Sequence, residues 1–423
     1  MEYSVRKRFA SLLSFNAAAT LWCAAFILAG CGGGDELNHS DNSPADTGPV
    51  SVTAGDNTIT ITSDTYDLTG MPVAAQWEGE VPSCMESDGQ VVPVQSRSDG
   101  DRTQLWLPAD VPAGESRTYE PSSQTNCGTS DFEWQEVDSD RSRLLVDGQP
   151  AVEYVHPEFD LSRYKETMKP YHHVYAPDGS QLITKGDVDG LYPHHRGIFY
   201  GYRDIRFKDD TVSTWSSDGD NLEGTQHLRI LEQWAGPLFG GHQAAIDWRD
   251  GEGEVFAEEV RTLRLYPRSD GTMVIDVESR LSSNVGPVTL DGDLQHAGLQ
   301  FRAAQYVADH TEQSRYLRPQ QWSDHPADEE LNDTEERLDE PWNAFQFVVE
   351  DQSYTVGYLS HPDNPPGGQM SERLYGRFGE FIPGVVIDED EPLRLQYRFV
   401  IAEGHDIDRQ QMEAEYAAYA ASP

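Results

Sequence analysis

The sequence predicts an all-β chain in two parts, and three observations carry that reading. Alternating or β-branched runs recur between residues 51 and 400, Asp-Gly, Asn and Pro turns separate them, and apolar residues take helical spacing only near the C-terminus. In chain order, "NTITITS" and "TQLWLPA" read as strands of a small module. "WRDGEGEVFAEEV" and "YPRSDGTMVIDV" read as hairpins, and "RTLRLYP", "GTMVIDVESRL" and "PLRLQYRFVIA" as long strands of a larger body. The polar stretch "WQEVDSDRSRLLVDGQP" before "AVEYV" sets a boundary near residue 140, giving a β-sandwich module over 51–140 and a body over 141–404. The last segment, 405–423, is a helix, with Asp406 as its cap and Ile407, Met412, Tyr416 and Tyr419 on one face. "DEELNDTEERLDE", residues 328–340, reads as a solvated loop or short helix.

The N-terminus is a targeting segment. Arg6, Lys7 and Arg8 precede an apolar run that ends in Leu28-Ala29-Gly30-Cys31, which resembles the lipobox of bacterial lipoproteins. That resemblance implies a signal over 1–30, acylation of Cys31, and a lipid anchor on the outer membrane as the chain's one membrane contact. Residues 31–50 are Gly-, Asp- and Ser-rich and read as a flexible linker. Losing residues 1–30 takes the formal charge from −42 to −44, which argues against nucleic acid as a partner. Cys84 and Cys127 are then left in an oxidising compartment and are expected to form a disulfide.

"KPYHHVYAPDGSQLITKGDVDGLYPHHRGIFYGY", then Trp215, "FAEEVRTLRLYP", "LQHAGLQFRAAQ", "VGYLSHPDNPP" and "RLYGRFGEFIPG" follow one another in an order that resembles the DUF6807 family, also labelled PmoA-like. The resemblance spans about residues 150–403. Two places depart from the family pattern: Gln295-His296 stands where an acidic pair precedes Gly, and Leu191-Tyr192-Pro193 where Asp-His-Pro is usual. The same pieces are also similar to the galactose-mutarotase supersandwich. That likeness implies a β-supersandwich body in which an early histidine, His194 or His195, and a later one, His296, line a concave sheet. The small module is similar to β-sandwich modules that precede such domains in secreted carbohydrate enzymes.

Histidine suits general acid/base work because its ordinary pKa lies close to neutral pH. If "HHRGIFYGY" is a strand throughout, alternation sends His194 and Arg196 to one face and His195 to the other, so one histidine is structural unless a bulge falls at Gly197. For a uronic-acid lyase, His194 or His195 would be the base, Arg196 or Arg302 the cation on the carboxylate, and Tyr375 the acid. For a mutarotase the pair would be His296 with Glu259. Tyr200 and Trp215 are candidate sugar platforms, although aromatic residues are more often core. His361 and Asn364 sit on a turn-rich loop suited to the rim of a site.

No cofactor is expected. His172, His173, His194, His195, His242 and His296 leave a metal ion as an alternative, but none has the i, i+4 spacing of a zinc helix. Asp187-Val188-Asp189 is a weak calcium turn. The expected function is a secreted lipoprotein lyase or hydrolase of poly- or oligosaccharides. A noncatalytic glycan-binding lipoprotein and a mutarotase or epimerase are the alternatives.

Overall fold

The computed structural model describes residues 48–423 except 100–101, 129, 187, 217–220, 333–336, 389 and 406. The signal, Cys31 and nearly all of the linker lie outside the described residues. The all-β architecture the sequence predicts is present: two eight-stranded antiparallel sheets pack face to face, with a small β module before them and one C-terminal helix.

The first large sheet runs, edge to edge, through Gln369–Arg373, Arg377–Phe381, Ala297–Arg302, Gly197–Tyr202, Tyr171–Val174, Gln149–Val155, Arg141–Val146 and Phe132–Asp138. The second runs through Gly224–Ala235, Gly240–Arg249, Val255–Pro267, Met273–Ser283, Leu393–Glu403, Gln352–Ser360, Trp342–Val349 and Arg315–Leu317. Register decides what each face carries. Ile198, Phe301 and Phe378 are aligned across three strands of the first sheet and point at the second, where Phe301 meets Phe399 at 6.1 Å between ring centroids. Their neighbours Gly197, Arg302 and Arg377 are likewise aligned, on the opposite, outer face. A four-stranded sheet, Asp210–Val212, Asp204–Phe207, Val288–Asp291 and Val385–Ile387, adds Ile205, Leu290 and Ile387 to the same core.

The expected boundary at 140/141 falls in the turn between Phe132–Asp138 and Arg141–Val146, and both of those strands belong to the first large sheet. The described residues form one compact unit. The helix Arg409–Ala420 joins the parts: Ala414, Ala417 and Ala418 enter the core of the small module, while Met412 and Tyr419 pack with Trp342, Leu359 and Val400 of the second sheet. Its cap is Asp408, not Asp406, which lies outside the described residues. The Asp408 carboxylate accepts from the Gln411 backbone and the Gln411 side chain accepts from the Asp408 backbone, a reciprocal pair whose spacing of three residues fits Asp408 and not a position two residues earlier.

The acidic run 328–340 is solvated over 328–330, but it is not a solvated face at its end. Arg337 and Glu340 are buried and paired, and Arg337 and Arg318 share Glu372.

Cys84 and Cys127 form the expected disulfide, with Cα atoms 6.0 Å apart and a separation of 43 positions in sequence. Cys127→Ser is expected to cost about 4 kcal/mol through the added freedom of the unfolded loop, read as a lower urea midpoint for the small module. An unchanged midpoint would show that the bridge constrains nothing.

Candidate functional site

The site grows from a glycine. Gly197 has φ +56°, and a Cβ there would lie 2.0 Å from the His172 carbonyl oxygen, so only glycine lets the incoming chain join the strand at this point. The strand therefore starts at Gly197, and His194, His195 and Arg196 precede it in a turn. This corrects the strand reading of "HHR". Without a pleat, alternation does not separate the histidines, and their rings pack against each other at 4.2 Å.

Both rings turn toward Trp215, His195 at 5.3 Å and His194 at 6.4 Å between centroids. His195 is the inner of the two. It stacks on Phe199 at 5.4 Å and lies nearly parallel to Tyr375 at 6.5 Å, and both its ring nitrogens lack a hydrogen-bond partner among the described residues. His194 is half-buried and is the imidazole nearer to solvent. Trp215 also faces His296, at 6.1 Å. Thus His194, His195, Trp215, Tyr375 and His296 come together on the outer face of the first sheet.

Arg196 does not serve there as a free cation. Its Nη2 donates to the Lys165 and Glu166 carbonyls, and its guanidinium covers the Tyr171 ring at 4.6 Å, so it secures the short helix Tyr164–Thr167. Three other basic side chains lie beneath the cluster, and they too donate to neutral oxygens. Lys169 Nζ donates to the Trp215 carbonyl at 2.5 Å and lies 5.4 Å from that ring's centroid. Arg377 donates to the Tyr375 hydroxyl at 3.0 Å, to Gln300 Oε1 at 2.7 Å and to Ser371 Oγ at 2.9 Å. Arg302 donates to the Ala303 and Tyr375 carbonyls and lies 5.2 Å from the Tyr375 ring.

All three are buried, and none forms a salt bridge to a carboxylate among the described residues. Elsewhere in this chain buried arginines are paired: Arg261 with Glu259, Arg318 with Glu372, Arg337 with Glu340, Arg398 with Asp276. Burying a charge without a counter-ion is costly, and at these three side chains neutral carbonyl, hydroxyl and amide oxygens stand where a carboxylate stands elsewhere in the chain.

Burial dominates the titration of the groups gathered here. Burial, helped by Lys169 and His296, pushes His194 down to about 3. Burial and then His194 and Arg377 hold His195 well below the ordinary imidazole range. Burial, with Arg196 and Arg261 adding to it, likewise pulls the Lys169 ammonium well below its usual value. Both histidines are therefore neutral at pH 7 and able to accept a proton. His296 Nδ1 is 2.7 Å from Asp293 Oδ1 at the edge of the cluster.

The remaining candidates are elsewhere. Tyr200 points into the inter-sheet core against Trp248, because it shares parity with Ile198. Glu259 is buried, held by both Nε and Nη2 of Arg261, Trp248 Nε1 and Ser279 Oγ, which leaves it no free lone pair for a sugar. His361 meets the Ser422 carbonyl at 3.2 Å beside Tyr419, and it lines a separate hollow of about 550 Å³ between the small module and the C-terminus. Asn364 braces its own turn through Ser360 and the Gln396 backbone.

Of the other histidines, His172 and His242 touch at 2.8 Å between Nε2 atoms inside the sandwich, stacked around Tyr154. Among the described residues no three His, Cys, Asp or Glu side chains are placed to hold a metal ion. Asp187 of the calcium turn lies outside the described residues.

Sequence reasoning missed Lys169, Arg377 and Tyr192. Arg377 was recoverable: it stands two residues after Tyr375, and cross-strand register sets it opposite Arg302. Lys169 was not, since it reaches the site from a loop ahead of its strand. Tyr192 packs 5.2 Å from His195 and 5.1 Å from Tyr375, at the solvent-facing mouth.

No curated protein matches the chain. A solved structure, the GalM/aldose epimerase homologue from C. elegans, aligns with 65% of this chain and 99% of its own at 8% identity and a TM-score of 0.27, a likeness too slight to carry an argument. The model for the family described as "Family of unknown function (DUF6807)" matches residues 141–417, the stretch that holds both large sheets' site-bearing strands and every residue of the histidine cluster, and the chain belongs to that family.

Proposed function

We propose that this chain is a lipid-anchored, secreted enzyme that cleaves acidic poly- or oligosaccharides by β-elimination at the His194 site. The observation that carries the reading is a pair of buried arginines, Arg302 and Arg377, with Lys169 beside them, none with a carboxylate partner among the described residues, beneath a pair of neutral imidazoles. A uronate carboxylate supplies the missing negative charge. Once it is neutralised there, the proton on the adjacent carbon becomes more acidic.

His194, neutral and nearer to solvent, takes that proton as the base. The electron pair left behind forms the new carbon–carbon double bond as the bond to the glycosidic oxygen breaks. Tyr375 delivers its phenolic proton to the leaving oxygen, and Arg377, donating to that phenol oxygen, stabilises the resulting phenolate. The products are an unsaturated uronate end and a new reducing end, and the proton taken by His194 returns through solvent to Tyr375. His195 backs His194 and fixes its plane. Hydrolysis would need two carboxylates about 5–10 Å apart at the scissile bond. Among the described residues of the cluster only Asp293 is at hand, already bound to His296 and Arg203.

The mature chain with Cys31→Ser, which removes the lipid site, is incubated with uronate-containing and neutral polysaccharides while ultraviolet absorbance of the unsaturated product and reducing ends are followed together. Both signals should rise in step on an acidic substrate. His194→Ala should lower kcat by about 100-fold or more at an unchanged melting temperature. Reducing ends without absorbance would mean hydrolysis; binding without either product would mean a capture protein. Either result overturns the lyase reading.

A further inference from the structure

At the mouth of the histidine site stands a tyrosine whose backbone is strained and whose ring is left in solvent. Tyr192 has φ +53°, a left-handed conformation uncommon for a bulky side chain, and it is 43% exposed. The backbone costs stability that glycine would spare, and the ring's contacts with His195 and Tyr375 still leave much of the side chain in solvent.

The conformation is nevertheless held from several sides. The Leu191 amide donates to Gln305 Oε1 at 3.1 Å, the Gln305 amide donates to Asp309 at 3.0 Å, and Arg302 Nη2 donates to the same Gln305 oxygen at 3.4 Å. Gly190 before it lies so close to Gln305 that a Cβ would come within 2.5 Å. The His195 amide donates to the Tyr192 carbonyl at 3.0 Å, closing the turn that presents the histidines. One of the site's buried cations thus helps anchor the loop that displays Tyr192. The ring itself is inclined 46° to Tyr375, the proposed acid, and 41° to His195, and its centroid lies 6.3 Å from that of His194, the proposed base.

We propose that Tyr192 is the platform on which a pyranose ring of an acidic oligosaccharide stacks, next to the ring whose carboxylate meets the buried cations. This rests on the acidic-saccharide reading above and extends it to a specific positioning residue. The C–H face of a pyranose packs on a flat phenol ring, and the residue with the largest exposed apolar face at the mouth is the one suited to that contact. Because it acts on binding and not on bond breaking, its loss should raise KM and leave kcat nearly as it was.

The test compares wild type, Tyr192→Gly and Tyr192→Phe, each with Cys31→Ser, on short oligosaccharides of galacturonate, glucuronate and mannuronate, with a cello-oligosaccharide as neutral control. Calorimetric binding, KM, kcat and melting temperature are measured. Tyr192→Gly relieves the left-handed strain, so its melting temperature should be no lower than wild type while its KM and dissociation constant for the acidic ligand rise about three- to tenfold. Tyr192→Phe keeps the flat face and should behave as wild type. A structural role would instead lower the melting temperature of the glycine variant and leave KM alone.

The two readings separate cleanly. Turnover by wild type with unchanged KM in Tyr192→Gly overturns the platform and leaves the lyase standing. Acidic-ligand binding without turnover, weakened in Tyr192→Gly, keeps the platform and removes the lyase. Binding to none of the ligands overturns both.

Discussion

Lowering the pH from 7 to 5 is expected to destabilise the folded unit by several kcal/mol, enough to unfold much of it at moderate temperature. His173, His194 and His242 are held down to about 3 and His227 to about 4, in each case chiefly by burial; His172 and His195 lie well below the ordinary value for the same reason. A depressed imidazole binds its proton more readily in the unfolded chain. The stability it contributes is therefore complete above the unfolded value near 6.5 and is lost as pH falls through the window down to the folded one. At pH 5 the cost is set by the unfolded chain alone, about 2 kcal/mol for each imidazole that stays neutral.

Two carboxyls act in the opposite sense. Burial raises Glu380 to about 8 and Glu340 to about 7, so each is strained when ionised at neutral pH and relaxes on acidification, returning about 2 kcal/mol apiece. Six imidazoles against two carboxyls leave a net loss of roughly 5–8 kcal/mol, comparable to the whole stability of an ordinary domain. Urea melts at pH 7, 6 and 5 would measure it; a midpoint that does not move would show that the buried histidines are already compensated. Because His194 remains neutral throughout this window, the acid limb of activity should track unfolding rather than titration of the base.

The readable part of this molecule was what local pattern controls. Period-two alternation located strands such as Met273–Ser283 and Leu393–Glu403 within a residue or two, since each buries one face against the opposing sheet and repeats that demand along its length. The disulfide was legible because the compartment and the count of remaining cysteines left one pairing. Part of the site was legible too: His194, His195, Trp215 and Tyr375 converge.

Side assignment was not legible where a single residue broke the pleat. Gly197 ends the turn and starts the strand, so parity counted from His194 gave the wrong faces for the histidines, and Arg196 was credited with a charge that it spends on two carbonyls. Tyr200 illustrates the same rule from the other side. Counted from Ile198 inside the strand, parity puts it in the core, where it is. The cations that replace Arg196 arrive from a loop and from a strand far along the chain, and only cross-strand register brings them together.

Glu259→Ala is expected to cost about 3–5 kcal/mol while leaving the specific activity of the folded fraction unchanged. The carboxylate receives Nε and Nη2 of Arg261 at 2.8 and 2.9 Å, Trp248 Nε1 at 3.0 Å and Ser279 Oγ at 2.8 Å, all inside the sandwich. Removing it strands the guanidinium of Arg261, whose one other hydrogen bond among the described residues is a long one of 3.5 Å to the Pro170 carbonyl, together with two neutral donors, in a buried space. Glu259→Gln should fall between, since an amide oxygen still accepts from the arginine but cancels no charge. Urea titration of the three proteins gives the stability order, and initial rates at low temperature, normalised to folded protein, give the activity. Loss of rate in a fully folded Glu259→Gln would return this carboxylate to the reaction. Equal rates would leave it as the counter-ion that Arg261 has, and that Lys169, Arg302 and Arg377 lack among the described residues. Arg261 is held by a carboxylate within the fold, whereas Lys169, Arg302 and Arg377 are held by neutral oxygens, and that difference is what the proposed uronate would use.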